Sequence, residues 1–334
     1  MDNGTTGMTL PDLLQQSSSY WKSCTIHAGV KLDVFTPLAK GSQTAAELAA
    51  VMQADERGLA MLLHALTAME LLSKDGDRFY LTPLAAEHLV RTAPAYMGHI
   101  LMHHHFLVEG WGKLDAAVRT GAPVRKRSSH ETDGEERESF LMGMFNLASL
   151  LAPRVAAEID LRGRRRLLDL AGGPGTYAIH FCRQNPNLTA VIHDLPTTRP
   201  FAEQTVARFG LVDRIAFAGG DILAEPIGSG FDVVWISHLL HSEGPETCRH
   251  IVAKATEALD AGGLLLIQEF ILDDNRTAPL HPALFSLNML LGTREGQAYA
   301  QGELAAMMTE AGLRDVRRLP IALPNGAGIM AGVR

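Results

Sequence analysis

The chain is short of cysteine, of aromatic residues and of excess positive charge, and each shortage narrows what it can be. Cys24, Cys182 and Cys248 are its only cysteines and lie far apart, so neither a paired zinc-ligand spacing nor a dense disulfide framework is available. A reducing compartment suits such a chain, and the cytoplasm is the expected location. Lys and Arg number 30 against 37 Asp and Glu, a net charge of -7. That balance argues against nucleic acid as a main partner, because phosphate binding needs a basic surface. The opening stretch, MDNGTTGMTLPDLLQQSSSYW, has no basic start followed by an apolar run, so no signal peptide is expected. No apolar run approaches the roughly 20 residues that span a bilayer. The stretch 263–267 suits a buried strand instead, and no membrane partner is expected.

What is present is ample apolar material: 46% of 334 residues, enough for two domains with sizeable cores. The two parts have different rhythms. From Leu10 to about Val118, apolar residues recur at three-to-four spacing, as in helices. Thr44 with Glu47 reads as a capping box for a helix through Val51. Asp75-Gly76-Asp77 is a turn signal leading into Arg78–Leu81, so a short strand pair follows three helices, the shape of a winged-helix unit. Where a recognition helix would lie, 55–69, the sequence is mostly apolar with one arginine, Arg57. It reads as a segment that packs against protein rather than DNA. The polar stretch 124–137 reads as a solvated loop, its Arg125-Lys126-Arg127 cluster as surface, before a helix over 139–159.

From Arg166 the rhythm changes. Apolar strands at 166–171, 189–194, 214–218, 231–236 and 263–270 alternate with helices near 176–184, 199–209 and 246–259. This predicts a parallel sheet covered on both faces. A helix at 302–312 and strands near 315–321 and 328–333 close it with an antiparallel pair. The expected division is a helical domain over 1–160 and an α/β, Rossmann-like domain over 161–334.

The stretch 167–175, LLDLAGGPG, carries the first chemistry. A buried strand containing Asp169 enters a turn with Gly172, Gly173 and Gly175, where backbone can approach a ligand that a Cβ would block. Nineteen residues after Gly175 the second strand ends at Asp194, a carboxylate at a ribose position, followed by Leu195. After the third strand come Gly220, Asp221 and Ile222, an acid and an apolar residue suited to the edge and face of adenine. NAD also uses a glycine turn with an acid about 20 residues on, but the spacing here is G-G-x-G rather than G-x-G-x-x-G. S-adenosylmethionine, with an ammonium group and no phosphate, fits the set better. The alternative is that these glycines and acids serve only turns.

Together with the stretch 237–248, these motifs resemble the plant-type and bacterial small-molecule O-methyltransferase family, the caffeic acid, hydroxyindole, phenazine and polyketide enzymes. The resemblance extends to Leu32-Asp33-Val34-Phe35, Leu81-Thr82-Pro83, Trp111, Thr120-Gly121 and Phe145-Asn146, and so covers nearly the whole chain. It implies a seven-stranded, Rossmann-like class I methyltransferase domain behind a winged-helix-like dimerisation domain, and a homodimer. It implies S-adenosyl-L-methionine as cofactor, leaving as S-adenosyl-L-homocysteine, and a small aromatic or polycyclic acceptor. Asp169, Gly172, Gly173, Gly175, Asp194, Leu195, Gly220, Asp221, Ile222 and Ser237 would hold the cofactor. His241 matches the family's general base and Glu269 the first of two acids flanking it. His105, Met142, Phe145, Asn146, His238, Asn288 and Met289 are expected to face substrate.

Two departures stand out. The family follows its histidine with Asp-Trp, whereas Ser242-Glu243 stand here. Its second acid falls at Ala298, with Glu295 nearby but offset. The missing acid leaves two alternatives: the same fold diverted to non-methylating chemistry, or a catalytically silent cofactor-binding dimer. His99 and His103, four apart, would share a helix face, but no third ligand follows at a known spacing, and no metal is expected.

Overall fold

The computed structural model describes residues 7–334; the first six residues of the N-terminal reading lie outside it. Contacts divide the chain into two compact units, the first ending at Phe106 and the second beginning at Leu107. The boundary falls within the helix Gly98–Trp111, well ahead of the change of rhythm near 160. The reason is the helix Gly134–Glu158, which packs on the helix Thr176–Gln184 and so joins the sheet-bearing unit.

In the first unit, three short strands, β1 (Gln43–Thr44), β2 (Leu72–Asp75) and β3 (Arg78–Leu81), pair antiparallel in the order β1-β3-β2. Thr44 caps the helix Ala45–Met52: its hydroxyl accepts from the Glu47 amide at 3.2 Å, and the Glu47 carboxylate accepts the Thr44 amide at 2.8 Å. This is the reciprocal box read from the sequence. The helix Glu56–Ala68 buries Leu59, Leu63 and Leu66 against Phe35, Leu48, Leu72 and Phe79. By contrast, the helix Leu10–Ser17 buries none of its residues.

The second unit is a sheet in the order β10-β11-β8-β7-β4-β5-β6. Its strands are β4 (Arg166–Leu170), β5 (Thr189–Asp194), β6 (Ile215–Gly219), β7 (Phe231–Ser237), β8 (Leu259–Leu272), β10 (Arg314–Arg318) and β11 (Ala327–Val333), and a two-residue β9 (Tyr299–Ala300) pairs with the end of β8. β8, β7, β4, β5 and β6 run parallel, while β11 is antiparallel to β8 and β10 to β11. Alternation sorts the strands' apolar residues between two cores. Leu167, Val233, Trp235 and Leu266 face one, and Leu168, Val234, Ile236 and Leu265 face the other. The doubly covered parallel sheet is therefore the one the sequence predicts.

Two expectations need correction. The helix Gly134–Glu158 is long and apolar enough to cross a membrane by length and composition. Its charged first turn and its Asn146, Pro153 and Arg154 mask this in a search for uninterrupted apolar runs. Here Ala152, Val155 and Ala156 join the core. The stretch 124–137 is not simply solvated: Ser128, Thr132 and Arg137 are buried, and Arg125, Arg127 and Arg137 find specific oxygens on neighbouring helices and turns.

Candidate active site

The parallel strands end side by side, and each chemical candidate sits at or just past such an end. β4 leads into a turn where Ala171, Gly173 and Gly175 all have positive φ, at 55°, 55° and 79°. The glycines serve different ends. A Cβ on Gly172 would lie 2.6 Å from the Asp169 carboxyl carbon, and one on Gly175 would lie 2.3 Å from Ile192; these two permit internal packing. A Cβ on Gly173 would meet nothing within 4 Å, so this is the glycine whose backbone faces open space, where a ligand can approach. Asp194, at the end of β5, accepts the Gly173 amide at 2.8 Å, the Leu195 amide at 2.7 Å and the Thr198 hydroxyl at 2.9 Å. It thereby ties the second strand's end to the first strand's turn.

Asp169 lies beneath that turn, 2% exposed, and accepts the Ala178 amide at 3.2 Å. Burial pushes its carboxyl up to about 7; the Ala178 hydrogen bond opposes this and the nearby Asp194 charge adds to it. Asp221 is exposed and accepts the Leu223 amide at 2.8 Å, while the Ile222 carbonyl accepts from Lys254 at 2.6 Å.

β7 ends at Ser237 and is followed by a short 3-10 turn, Leu240–Ser242, that carries His241. His241 Nδ1 stands 2.8 Å from Glu269 Oε2, and the His241 amide donates to Glu269 Oε1 at 3.3 Å. Glu269, on the neighbouring β8, is 1% exposed. Burial alone would push its carboxyl upward. The His241 charge and the His238 and His241 imidazoles beside it outweigh burial and hold it well below the usual carboxylate range. An ionised carboxylate only accepts, so the proton between the two sits on Nδ1, and Nε2 of a neutral His241 is left as an acceptor.

His238 lies beside this pair with φ 53°, its Nδ1 3.7 Å from Glu269 Oε2. Its Nε2 is 3.1 Å from the Gln268 amide nitrogen, which also donates to the Tyr177 hydroxyl at 2.8 Å. One ligand atom from each of His238, His241 and Glu269 lies within 4.8 Å of the others, a spacing that a divalent cation can bridge.

Around the two histidines stands a wall of rings that the sequence reading missed. Phe285 meets His241 edge-on at 4.8 Å, and Phe270 lies 4.5 Å from His238 and 4.7 Å from Phe285. His281 is 4.8 Å from Phe270. No periodicity announces this cluster, because Phe270 comes from β8 and the other two from the helix Leu280–Gly292.

The remaining candidates scatter. Met142 is half-buried and Asn146 buried on the helix Gly134–Glu158. Phe145 packs its ring near Phe209, at 6.4 Å, with the Arg208 guanidinium 6.0 Å from the same ring. Asn288 gives its carbonyl and its side-chain oxygen to Arg125, at 3.1 and 3.3 Å, and Met289 is buried. His105 lies in the first unit, 3.0 Å from Lys31 and with its ring 5.9 Å from that of His27. Ala298 is fully buried, and Glu295 is exposed, beside Gly244.

Comparison with known proteins decides among the readings of this geometry. The O-methyltransferase domain matches residues 111–314, and the O-methyltransferase dimerisation domain matches residues 14–91. The chain belongs to the O-methyltransferase family. It is 36% identical to the 3-hydroxy-5-methyl-1-naphthoate 3-O-methyltransferase of Streptomyces sahachiroi over 97% of this chain and 95% of that one. It is 31% identical to the tetracenomycin polyketide synthesis 8-O-methyl transferase of Streptomyces glaucescens, over 95% of both. The structure of human N-acetylserotonin methyltransferase in complex with S-adenosylmethionine superposes with a TM-score of 0.85 at 25% identity, covering 99% of each chain. This methyltransferase therefore uses S-adenosylmethionine, and neither NAD nor the diverted and silent alternatives is favoured.

Proposed function

We propose that this methyltransferase acts on a phenolic hydroxyl of a planar, fused-ring aromatic acceptor, with His241 as general base. The observation that carries the reading is the His241–Glu269 contact at 2.8 Å, set within the rings of Phe270, Phe285 and His281. The naphthoate and polyketide substrates in its relatives' names point to the same acceptor class.

The residues fit the cofactor. Gly173 opens the turn toward ligand, and Asp194 and Asp221 stand at the ends of β5 and β6 with Leu195, Gly220 and Ile222 beside them. Ser237 and the buried Asp169 complete this set. When bound, S-adenosylmethionine supplies a methyl group on a sulfonium. The protein's own contribution is proton handling and alignment. A phenol near pKa 10 is a weak nucleophile at neutral pH; His241 Nε2 takes its proton while Glu269 fixes the tautomer and stabilises the imidazolium. A positioned base of this kind contributes about 10²–10⁴-fold, and in-line placement supplies more. Phe270 and Phe285 offer faces and edges to a flat acceptor, and Met142, Asn146, Asn288 and Met289 are assigned to its far side. Phe145, packed on Phe209, is assigned to the core.

We assign residues 1–160 to dimerisation and acceptor binding and 161–334 to cofactor binding and catalysis, in a cytoplasmic homodimer. The first unit supports dimerisation: Leu10, Leu13, Leu14, Tyr20 and Trp21 are all more than half exposed, an apolar face that water disfavours.

The test uses S-adenosylmethionine labelled on the methyl group, with hydroxynaphthoates and simple phenols as acceptors. Label is expected in the ether product, and His241→Gln is expected to abolish it. Near-normal turnover by that variant would remove His241 as base.

A further inference from the structure

We infer that Arg127 is a positioning residue for methyl transfer, holding the His241 turn through Ser242 and Glu243 where the family's second acid is missing. The inference rests on the reading of His241 as base.

Arg127 Nη2 donates to Ser242 Oγ at 2.9 Å and pairs with the Glu243 carboxylate. With side chains 24% and 16% exposed, this is the most enclosed Lys or Arg ion pair among the described residues. Enclosure weakens screening by water and makes the loss of one partner costly, because the other charge is left stranded. The same turn is pinned from other sides. Ser242 Oγ donates to the Leu239 carbonyl at 2.8 Å, Cys248 Sγ to the Leu240 carbonyl at 3.1 Å, and the Tyr299 hydroxyl to the Glu243 carbonyl at 2.6 Å. Tyr299 follows Ala298, so the segment that has no acid at the family's second position instead grips the backbone at Glu243, two residues past the histidine.

Arg127 also belongs to a strap anchored at both ends. At one end the Val124 and Arg125 amides donate to the Leu291 carbonyl, at 3.0 and 3.1 Å. Arg125 itself binds Asn288, on the helix whose Phe285 meets His241. At the other end Arg137 reaches the Thr197 and Thr198 hydroxyls at 2.6 and 3.3 Å, and Thr198 donates to Asp194. Between them, the His130 amide donates to the Arg127 carbonyl at 3.1 Å. The strap thus joins the acceptor helix, the base-bearing turn and the cofactor acid, and Arg127 is its contact with the turn. A shift of about 1 Å at a reacting group can cost roughly 10²-fold in rate, so fixing this turn is a kinetic matter.

The test measures initial rates of the full-length enzyme with S-adenosylmethionine and a hydroxynaphthoate it turns over. Arg127→Met is expected to lower kcat about 10–10²-fold while both KM values stay within about threefold, and added guanidinium should restore part of the loss in Arg127→Ala, whose truncated side chain leaves room for it. Combined with Glu243→Gln, Arg127→Met should cost little more than alone, since both act through one contact. If Arg127→Met does not fold, Arg127→Lys and Glu243→Gln, each expected to lose kcat at least about fivefold, replace it. An unchanged kcat in the folded variants, or a loss confined to KM, overturns the inference. His241→Gln run alongside separates the two claims. If it retains activity, the base reading fails. If it is dead while Arg127→Met is normal, only the positioning role fails.

Discussion

Glu269 holds His241 at two points, accepting the ring at 2.8 Å through Oε2 and the main-chain amide at 3.3 Å through Oε1. One carboxylate thereby sets both the tautomer of His241, the proposed base, and the course of the turn that carries it. Glu269→Gln keeps the shape and removes the charge that stabilises the imidazolium. We expect kcat to fall about 10²-fold with acceptor KM little changed, measured as initial rates at saturating cofactor. A variant within threefold of wild type would contradict the assigned role.

Asp169 gives a pH signature in stability. Its folded-state carboxyl is pushed up to about 7, against 3.8 for the free group, by burial first and the Asp194 charge besides. As pH rises from about 4 to about 7, the unfolded chain sheds a proton that the folded chain keeps, so stability falls across that window. Asp169→Asn, which can still accept the Ala178 amide, should flatten the dependence and melt higher than wild type at pH 8. Parallel melting curves for the two proteins from pH 5 to 8 would count against it.

His27, in the first unit, gives a pH signature of the opposite sign. His27 is 5% exposed, and burial, with the His104 and His105 charges, lowers it to about 4. Stability is thus intact above about 6.5 and is lost as pH falls toward 4. His27→Phe should reduce the acid sensitivity of unfolding monitored by circular dichroism; an unaltered acid midpoint would argue otherwise.

The exposed face of the first helices should be the dimer contact. Leu14→Asp or Trp21→Glu removes an apolar anchor of about 1.5–3 kcal/mol, enough to weaken association more than tenfold. Sedimentation equilibrium reads this directly, and dimers of unchanged affinity would place the interface elsewhere.

The cluster of His238, His241 and Glu269 predicts a particular response to metal. A base mechanism needs no cation, so EDTA should leave the rate unchanged. Zinc should bridge the three ligands, occupy the base and inhibit reversibly, and His238→Asn should blunt that inhibition. Loss of activity with EDTA would reverse the argument.

Much of this protein is legible in its sequence because the signals are local. Alternating apolar residues dictate strands whose neighbours face opposite cores, as Leu167 and Leu168 do. Thr44 and Glu47 announce a cap within one turn of helix, and positions such as Asp194 and His241 follow from being at the ends of parallel strands. What only the tertiary structure decided are relationships between distant side chains. Gly172 leaves room for the Asp169 carboxyl, which a Cβ would meet at 2.6 Å. Phe270, Phe285 and His281 converge from two elements. Arg125 and Arg127, which read as solvated charge, reach Asn288, Ser242 and Glu243. The physical reason is that backbone periodicity is a property of neighbouring residues, whereas a long side chain's partner depends on which surfaces packing brings within its reach.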